Sequence, residues 1–395
     1  MTTARLSDAV ATRVRDHRFA LQCIGVFLAV RAVGLAILAW LAAVHHTTLT
    51  WSLTLWDGEW MLGIARYGYA GVPATFADAN GVHTDDTAYA FFPGYPMLVR
   101  AVAFLPGMDE TAAAMTINVV AGAAAAVAIG RLGVLCATRV RPAVRLPAPD
   151  APRAGLLLVV LFAATPMSVV LNMAYTEALF CAVAAWALVG VLDHRWILAG
   201  CCALGAGLVR PTGIAVIATV MLAALVARRD GPRAWIAAAL APVGYLSYLA
   251  VVWARTGSPT GWFRIQTEGW NTTVDFGRAT WSFLADTFGY AGDFASVATA
   301  LVIVTVPFLL LWSAIDRVPW PILLFGVGVV ASILLSDGLM LSRIRLLLPA
   351  FVILIPIALR LAHRPRGEVI PVSVALTLFS GWFGAHMLTV FGYAI

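Results

Sequence analysis

Residues 19–44 read FALQCIGVFLAVRAVGLAILAWLAAV, an apolar run whose only charge is Arg31. A helix needs about 20 apolar residues to cross a bilayer, whereas the core of a cleaved leader has roughly 7–15. The run is therefore read as a retained first membrane helix. Arg5, Arg13, Arg15 and Arg18 precede it and predict a cytoplasmic N-terminus. Similar runs recur near 112–138, 155–172, 175–192, 196–210, 212–227, 234–254, 294–314, 318–335, 344–361 and 369–391. The expectation is an all-α polytopic membrane protein of about eleven transmembrane helices, a single integral membrane domain over residues 1–395. The pair 196–210 and 212–227, joined at Arg210-Pro211, is short enough to be read as one kinked helix or a re-entrant pair instead.

Composition agrees with this reading. The chain is 61% hydrophobic and 12% charged, with mean hydropathy +0.88, against roughly 25% charged residues in soluble domains. The net charge of +6 comes entirely from arginine, with no lysine, as in proteins of GC-rich bacterial genomes. Nucleic acid is not an expected partner, because the arginines fall in short loops: Arg139, Arg141, Arg145 and Arg153 in one, Arg228, Arg229 and Arg233 in another, Arg364 and Arg366 in the last. His194-Arg195 and Arg317 lie in the short connections between. These are the connections that an inside N-terminus places in the cytoplasm. Cys23, Cys136, Cys181, Cys201 and Cys202 lie in apolar stretches without metal-binding spacing and are read as small core residues. The Pro-rich stretch 141–152 reads as a surface linker.

Two connections are long enough to carry function: 45–111, the first extracytoplasmic loop, and 255–293, the second. The first has only Arg66 and Arg100 against Asp57, Glu59, Asp78, Asp85, Asp86, Asp109 and Glu110. Within it Trp56, Trp60, Ile64 and Tyr67 recur at helical spacing, which predicts an amphipathic helix in the membrane interface. A plain structural role is available for each part: Asp57 as a helix cap and the tryptophans as an aromatic belt. Tyr67-Gly68-Tyr69 ends that helix, and Phe91-Phe92-Pro93-Gly94-Tyr95-Pro96 opens a second apolar helix through Leu105.

The order Trp56-Asp57, Ile64-Ala65-Arg66-Tyr67-Gly68-Tyr69, Ala90 to Pro96 and then Ala174-Tyr175-Thr176-Glu177-Ala178-Leu179-Phe180 resembles the PIG-V family of mannosyltransferases, members of the GT-C superfamily of membrane glycosyltransferases. Looser similarity continues through Leu208 to Gly213 and Ser342 to Pro349. The resemblance implies a GT-C-like fold whose interfacial helices in the first outer loop carry the active site. It also implies an enzyme that takes mannose from polyprenyl-phosphate mannose to a glycan or glycolipid acceptor, at the outer face of the plasma membrane and among membrane lipids. Asp57 falls where such enzymes place an essential aspartate.

Chemistry is consistent with that role. A sugar on a polyprenyl phosphate has a good leaving group, so one base and one or two cations suffice. Asp57 is the expected general base. Arg210, Arg345, Arg343 and Arg264 are expected at the donor phosphate, since guanidinium forks match phosphate oxygens. Snorkelling at the interface is the bland alternative for each. Trp56, Glu59, Tyr95, Tyr175 and Glu177 are candidate substrate contacts, with Thr176 as a cap and Glu177 as a first-turn acid the plainer account of that pair. Aromatics of the second loop, Trp262, Phe263, Trp270 and Trp281, suit either a sugar or the headgroup region. Asp57 and Glu59 would point about 200° apart on a helix, so joint coordination of a divalent metal is not expected, and no cofactor is. Arg31, within the first helix, is a candidate functional charge or a snorkelling one. The competing function is a lipid or glycolipid flippase, which would place charges near the bilayer midplane, whereas the acids here sit in loops. A non-catalytic homologue is a third reading.

Overall fold

The computed structural model describes residues 2–140, 150–290 and 292–392, with backbone alone for residues 2–15. Most of the Pro-rich linker, with Arg141 and Arg145, lies outside the described residues, as do the side chains of Arg5, Arg13 and Arg15. Helix α1 spans Thr2–Val44. The first long loop follows, with a helical turn at Leu49–Thr54, then α2 (Asp57–Tyr67) and α3 (Gly94–Ala103). Next come α4 (Glu110–Arg139), α5 (Ala151–Ala163), α6 (Glu177–Leu192), α7 (Trp196–Val209), α8 (Gly213–Val226) and α9 (Pro232–Thr256). The second long loop carries α10 (Gly261–Trp270) and α11 (Arg278–Gly289). The chain closes with α12 (Phe294–Ile315), α13 (Trp320–Leu334), the segmented α14 (Met340–Leu361) and α15 (Arg366–Thr389).

Among the described residues six helices, α1, α4, α9, α12, α14 and α15, are long and apolar enough to cross a membrane, and α5, α6, α7, α8 and α13 are shorter apolar helices. Each of the eleven sequence runs thus has a helix. The core is a chain of packed pairs: α4 with α5 and α6, α6 with α7, α7 with α8 and α9, and α15 back on α1. Small residues allow the close crossings, as expected where lipid removes the hydrophobic drive between helices. A Cβ on Gly133 would lie 2.7 Å from the Gly155 Cα, where α4 meets α5.

Two expectations change, and the alternative of one kinked helix over 196–227 is excluded. The run 155–172 is not one helix, because α5 stops at Ala163, Thr165-Pro166 follows, and Met167 turns at φ +60° before a 3-10 turn at Ser168–Leu171. Proline cannot donate to the helix ladder. Arg31 makes this break tolerable: its guanidinium donates to the carbonyls of Ala163, at 2.6 Å, and of Ser168. Arg31 therefore neither snorkels nor joins the candidate site; it supplies the hydrogen bonds that lipid cannot. The pair α7 and α8 is two helices folded back on each other, since Arg210 is extended (φ −153°, ψ 155°) and a Cβ on Gly213 would lie 2.5 Å from the Ala206 carbonyl. Finally, Cys23, Cys136 and Cys181 are buried, but Cys201 is exposed beside the half-buried Cys202. Neighbouring helical positions face about 100° apart, and here Cys201 falls on the outer side of α7.

The two long loops meet at one end of the bundle. Ala79 N donates to the Gly269 carbonyl (3.0 Å), Asn80 Nδ2 to the Glu268 carbonyl (2.8 Å) and Gln266 Nε2 to the Ala90 carbonyl (2.9 Å). Trp60 stacks on Phe91, and Trp270 meets both edge-on. Thus α2 is covered by loop residues on its Trp60–Ile64 face rather than lying open on the membrane surface. The opposite end gathers Arg139 with Asp193, His194 with Asp230 and Arg360 with Asp316.

Candidate active site

Asp57 owes its position to two ties and one strained residue. The Leu53 carbonyl accepts from Ala174 N at 2.9 Å, and the Leu55 carbonyl accepts from the Tyr175 hydroxyl at 3.1 Å. These fix the first loop against the segment that leads into α6. Trp56 then adopts φ +54°, ψ −113°, a conformation costly for a side chain-bearing residue, on the order of 1–3 kcal/mol. The sharp turn starts α2 at Asp57, and the next residue packs closely on the platform below, since a Cβ on Gly58 would lie 3.4 Å from the Tyr175 ring. Asp57 does not cap its helix; no side chain bonds the start of α2. Its Oδ2 lies 2.7 Å from Arg345 Nη2.

Arg345 leads to two further charges. Its Nη1 is 3.4 Å from Glu177 Oε1, and the same oxygen is 2.6 Å from Arg210 Nη1. One carboxylate oxygen therefore bridges two guanidiniums, while Asp57 takes the free prong of one. Arg345 also lies over the Tyr175 ring, 5.0 Å from its centroid, and Arg210 over Phe180 at 6.0 Å. The four charges cancel in sum, which is what makes their burial tolerable. They are unequally buried: Glu177 exposes 1% of its side chain, Arg345 8%, Arg210 9% and Asp57 33%. Glu177 Oε2 and Arg345 Nε are buried and have no hydrogen-bond partner among the described residues. Thr176 stands at the N-cap position of α6 but its side chain makes no capping bond.

The other candidates are placed as follows. Tyr175 is the platform under Arg345. Trp56 is half-buried at the strained turn. Tyr95 is fully buried, with its hydroxyl 3.5 Å from the Ala114 carbonyl and pushed well above the usual phenol range by burial. Glu59 is exposed and turned away from Asp57, as their helical offset requires. Arg343, two residues from Arg345, points elsewhere: its guanidinium donates to Thr280 Oγ1 (3.0 Å) and to the carbonyls of Ile333 and Ser336. It pins the second long loop to α13. Arg264 is exposed on α10, whose opposite face, with Trp262 and Gln266, reaches the Ala90 carbonyl. The structure thus gathers Asp57, Arg345, Glu177, Arg210 and Tyr175, and leaves Arg343 and Arg264 outside.

One neighbouring feature was not singled out in the sequence. Ile344, Leu347 and Leu348, flanking Arg345, line an apolar cavity of about 250 Å³ with Thr165, Pro166 and residues of α12. Leu301 and Thr305 on its wall are exposed, so it opens sideways from the bundle. Apolar residues on either side of a buried arginine are the signal that could have found it.

Among solved structures, the chain is similar to ArnT from Cupriavidus metallidurans bound to undecaprenyl phosphate, with a TM-score of 0.53 and 17% identity. The fold is GT-C-like. The likeness covers 88% of this chain and 61% of ArnT, so the chain spans less than two thirds of its neighbour's length. No protein-family model and no curated protein matches the chain. The GT-C-like architecture expected from the PIG-V resemblance is therefore present, in a multi-pass membrane protein.

Proposed function

We propose that the protein is a membrane glycosyltransferase that moves a mannosyl residue from polyprenyl-phosphate mannose to a lipid-linked or other glycan acceptor on the extracytoplasmic face. The observation that carries this reading is the Asp57–Arg345–Glu177–Arg210 network, one partly exposed carboxylate beside two buried guanidiniums at the end of a GT-C-like bundle. A neighbour with this fold holds undecaprenyl phosphate. Asp57 takes the proton of the acceptor hydroxyl as its oxygen attacks the anomeric carbon. The bond from that carbon to the phosphate oxygen breaks, its electron pair leaves with the polyprenyl phosphate, and the configuration inverts. Arg345 and Arg210 stabilise the departing anion, and the lateral cavity lined by Ile344, Leu347 and Leu348 accepts part of the prenyl chain. Mannose rests on the PIG-V resemblance, and the outward orientation on the distribution of arginines.

The decisive experiment supplies purified protein in liposomes with radiolabelled polyprenyl-phosphate mannose and a glycolipid acceptor. Transfer is expected, little affected by EDTA, and Asp57→Asn lowers it about 10²–10⁴-fold. Wild-type activity in a folded Asp57→Asn variant would remove Asp57 as base, and activity only with a nucleotide sugar would remove the donor. A flippase would instead move labelled lipid across proteoliposomes and leave the sugar bond intact.

A further inference from the structure

Arg345 is engaged twice before any donor arrives, once by Asp57 and once by Glu177. A donor phosphodiester adds a third negative charge to a cluster with two positive ones. One carboxylate must yield its guanidinium. Glu177 is 1% exposed, bridges both arginines through one oxygen, and starts a helix packed on every side. Asp57 is one-third exposed and makes a single ion pair from a loop-borne helix end. Asp57 is the more exposed and more movable partner of Arg345, although its contact, at 2.7 Å, is shorter than that of Glu177, at 3.4 Å. Arg345 Nε, buried without a partner among the described residues, is a further donor that a phosphate oxygen can use.

We infer that the Asp57–Arg345 pair is a latch: the donor phosphate replaces Asp57 on Arg345, and only then is the Asp57 carboxylate free to take the acceptor's proton. This rests on the glycosyltransferase reading above and adds to it an order of binding, donor before acceptor. Glu177 is the positioning residue of the device, since it holds Arg210 and Arg345 side by side through the exchange. The latch also keeps the base occupied when no sugar donor is present. After transfer, Asp57 carries the acceptor's proton and cannot pair with Arg345 until it loses it, which leaves Arg345 to the product phosphate until then.

The test is binding of undecaprenyl phosphate to the full chain in nanodiscs. Wild-type protein is expected to bind it, and Arg345→Gln to lose most of the affinity. Asp57→Asn, which removes the competitor for Arg345, is expected to bind about three- to fivefold more tightly, the size of one partly exposed ion pair, even though it no longer transfers sugar. Unchanged or weaker binding by a folded Asp57→Asn overturns the latch and leaves the base assignment standing. Failure of the wild type to bind, or of Arg345→Gln to weaken binding, overturns the functional reading itself. If Asp57→Asn does not fold, initial-rate kinetics on the wild type decide. Polyprenyl phosphate competing with the donor alone supports the ordered sequence, and productive binding of acceptor to free enzyme sinks it.

Discussion

Glu177 illustrates how one side chain can matter to both stability and chemistry. Removing it leaves Arg210 and Arg345 facing each other with only Asp57 to offset them, and breaking a buried ion pair from one side costs about 3–5 kcal/mol. Glu177→Ala should therefore lower the melting temperature by several degrees in detergent, beyond any effect on transfer. A melting curve superimposable on the wild type would show that the bridge contributes nothing to the fold. At this scale the sequence was readable in part. Asp57, Arg210, Arg345, Glu177 and Tyr175 could all be named as candidates, from the motifs in which they stand and from their place on the outward side of the chain. Their grouping could not be named. Arg345 ranks ahead of Arg343 in the sequence, but both stand as phosphate candidates two positions apart, and the short helix at Arg343–Leu346 turns them to different neighbours. The strain at Trp56 left no trace in the sequence, since tryptophan has no preference for positive φ.

Among the helices, close approach sets the tolerance to change. A Cβ on Gly244 in α9 would sit 2.2 Å from the Leu204 carbonyl in α7, whereas one on Gly25 in α1 meets nothing within 4 Å. Gly244→Ala should force the two helices apart and cost about 1–3 kcal/mol. Gly25→Ala should leave stability unchanged or raise it by up to about 1 kcal/mol through helix propensity. Thermal melts of the two variants check the pair, and equal effects would contradict the packing described. Helix number and placement were legible from hydropathy alone. The breaks were less so. Pro166 follows the end of α5 at Ala163, but a hydropathy window runs across it because the residues on both sides are apolar, and the run 155–172 therefore reads as one span. That Arg31 would cap the break, from a helix more than 130 positions away in sequence, is a tertiary event no local pattern records.

For the whole molecule, the two ends of the bundle differ in charge chemistry. The candidate site and both long loops share one end, and the arginine-rich turns share the other. The positive-inside rule predicts that the second end faces the cytoplasm. In a cysteine-free background, Val82→Cys should react with a membrane-impermeant thiol reagent added to intact cells, and Arg229→Cys only after lysis. The reverse pattern would invert the topology and move the proposed site to the cytoplasm. The lengths of the central helices carry a last consequence. Helices α6, α7, α8 and α13 have 16, 14, 14 and 15 residues, or about 21–24 Å of rise. The hydrocarbon slab is about 30 Å thick. They pack in sequence, and Glu177 and Arg210 lie at their ends. Where α7, α8 and α13 meet lipid, a slab of that thickness is mismatched to them and thins or dimples beside them. In the glycosyltransferase we propose, a lipid-borne donor headgroup would reach the charged network by sliding sideways within its own leaflet, and the acceptor would meet it from the water above.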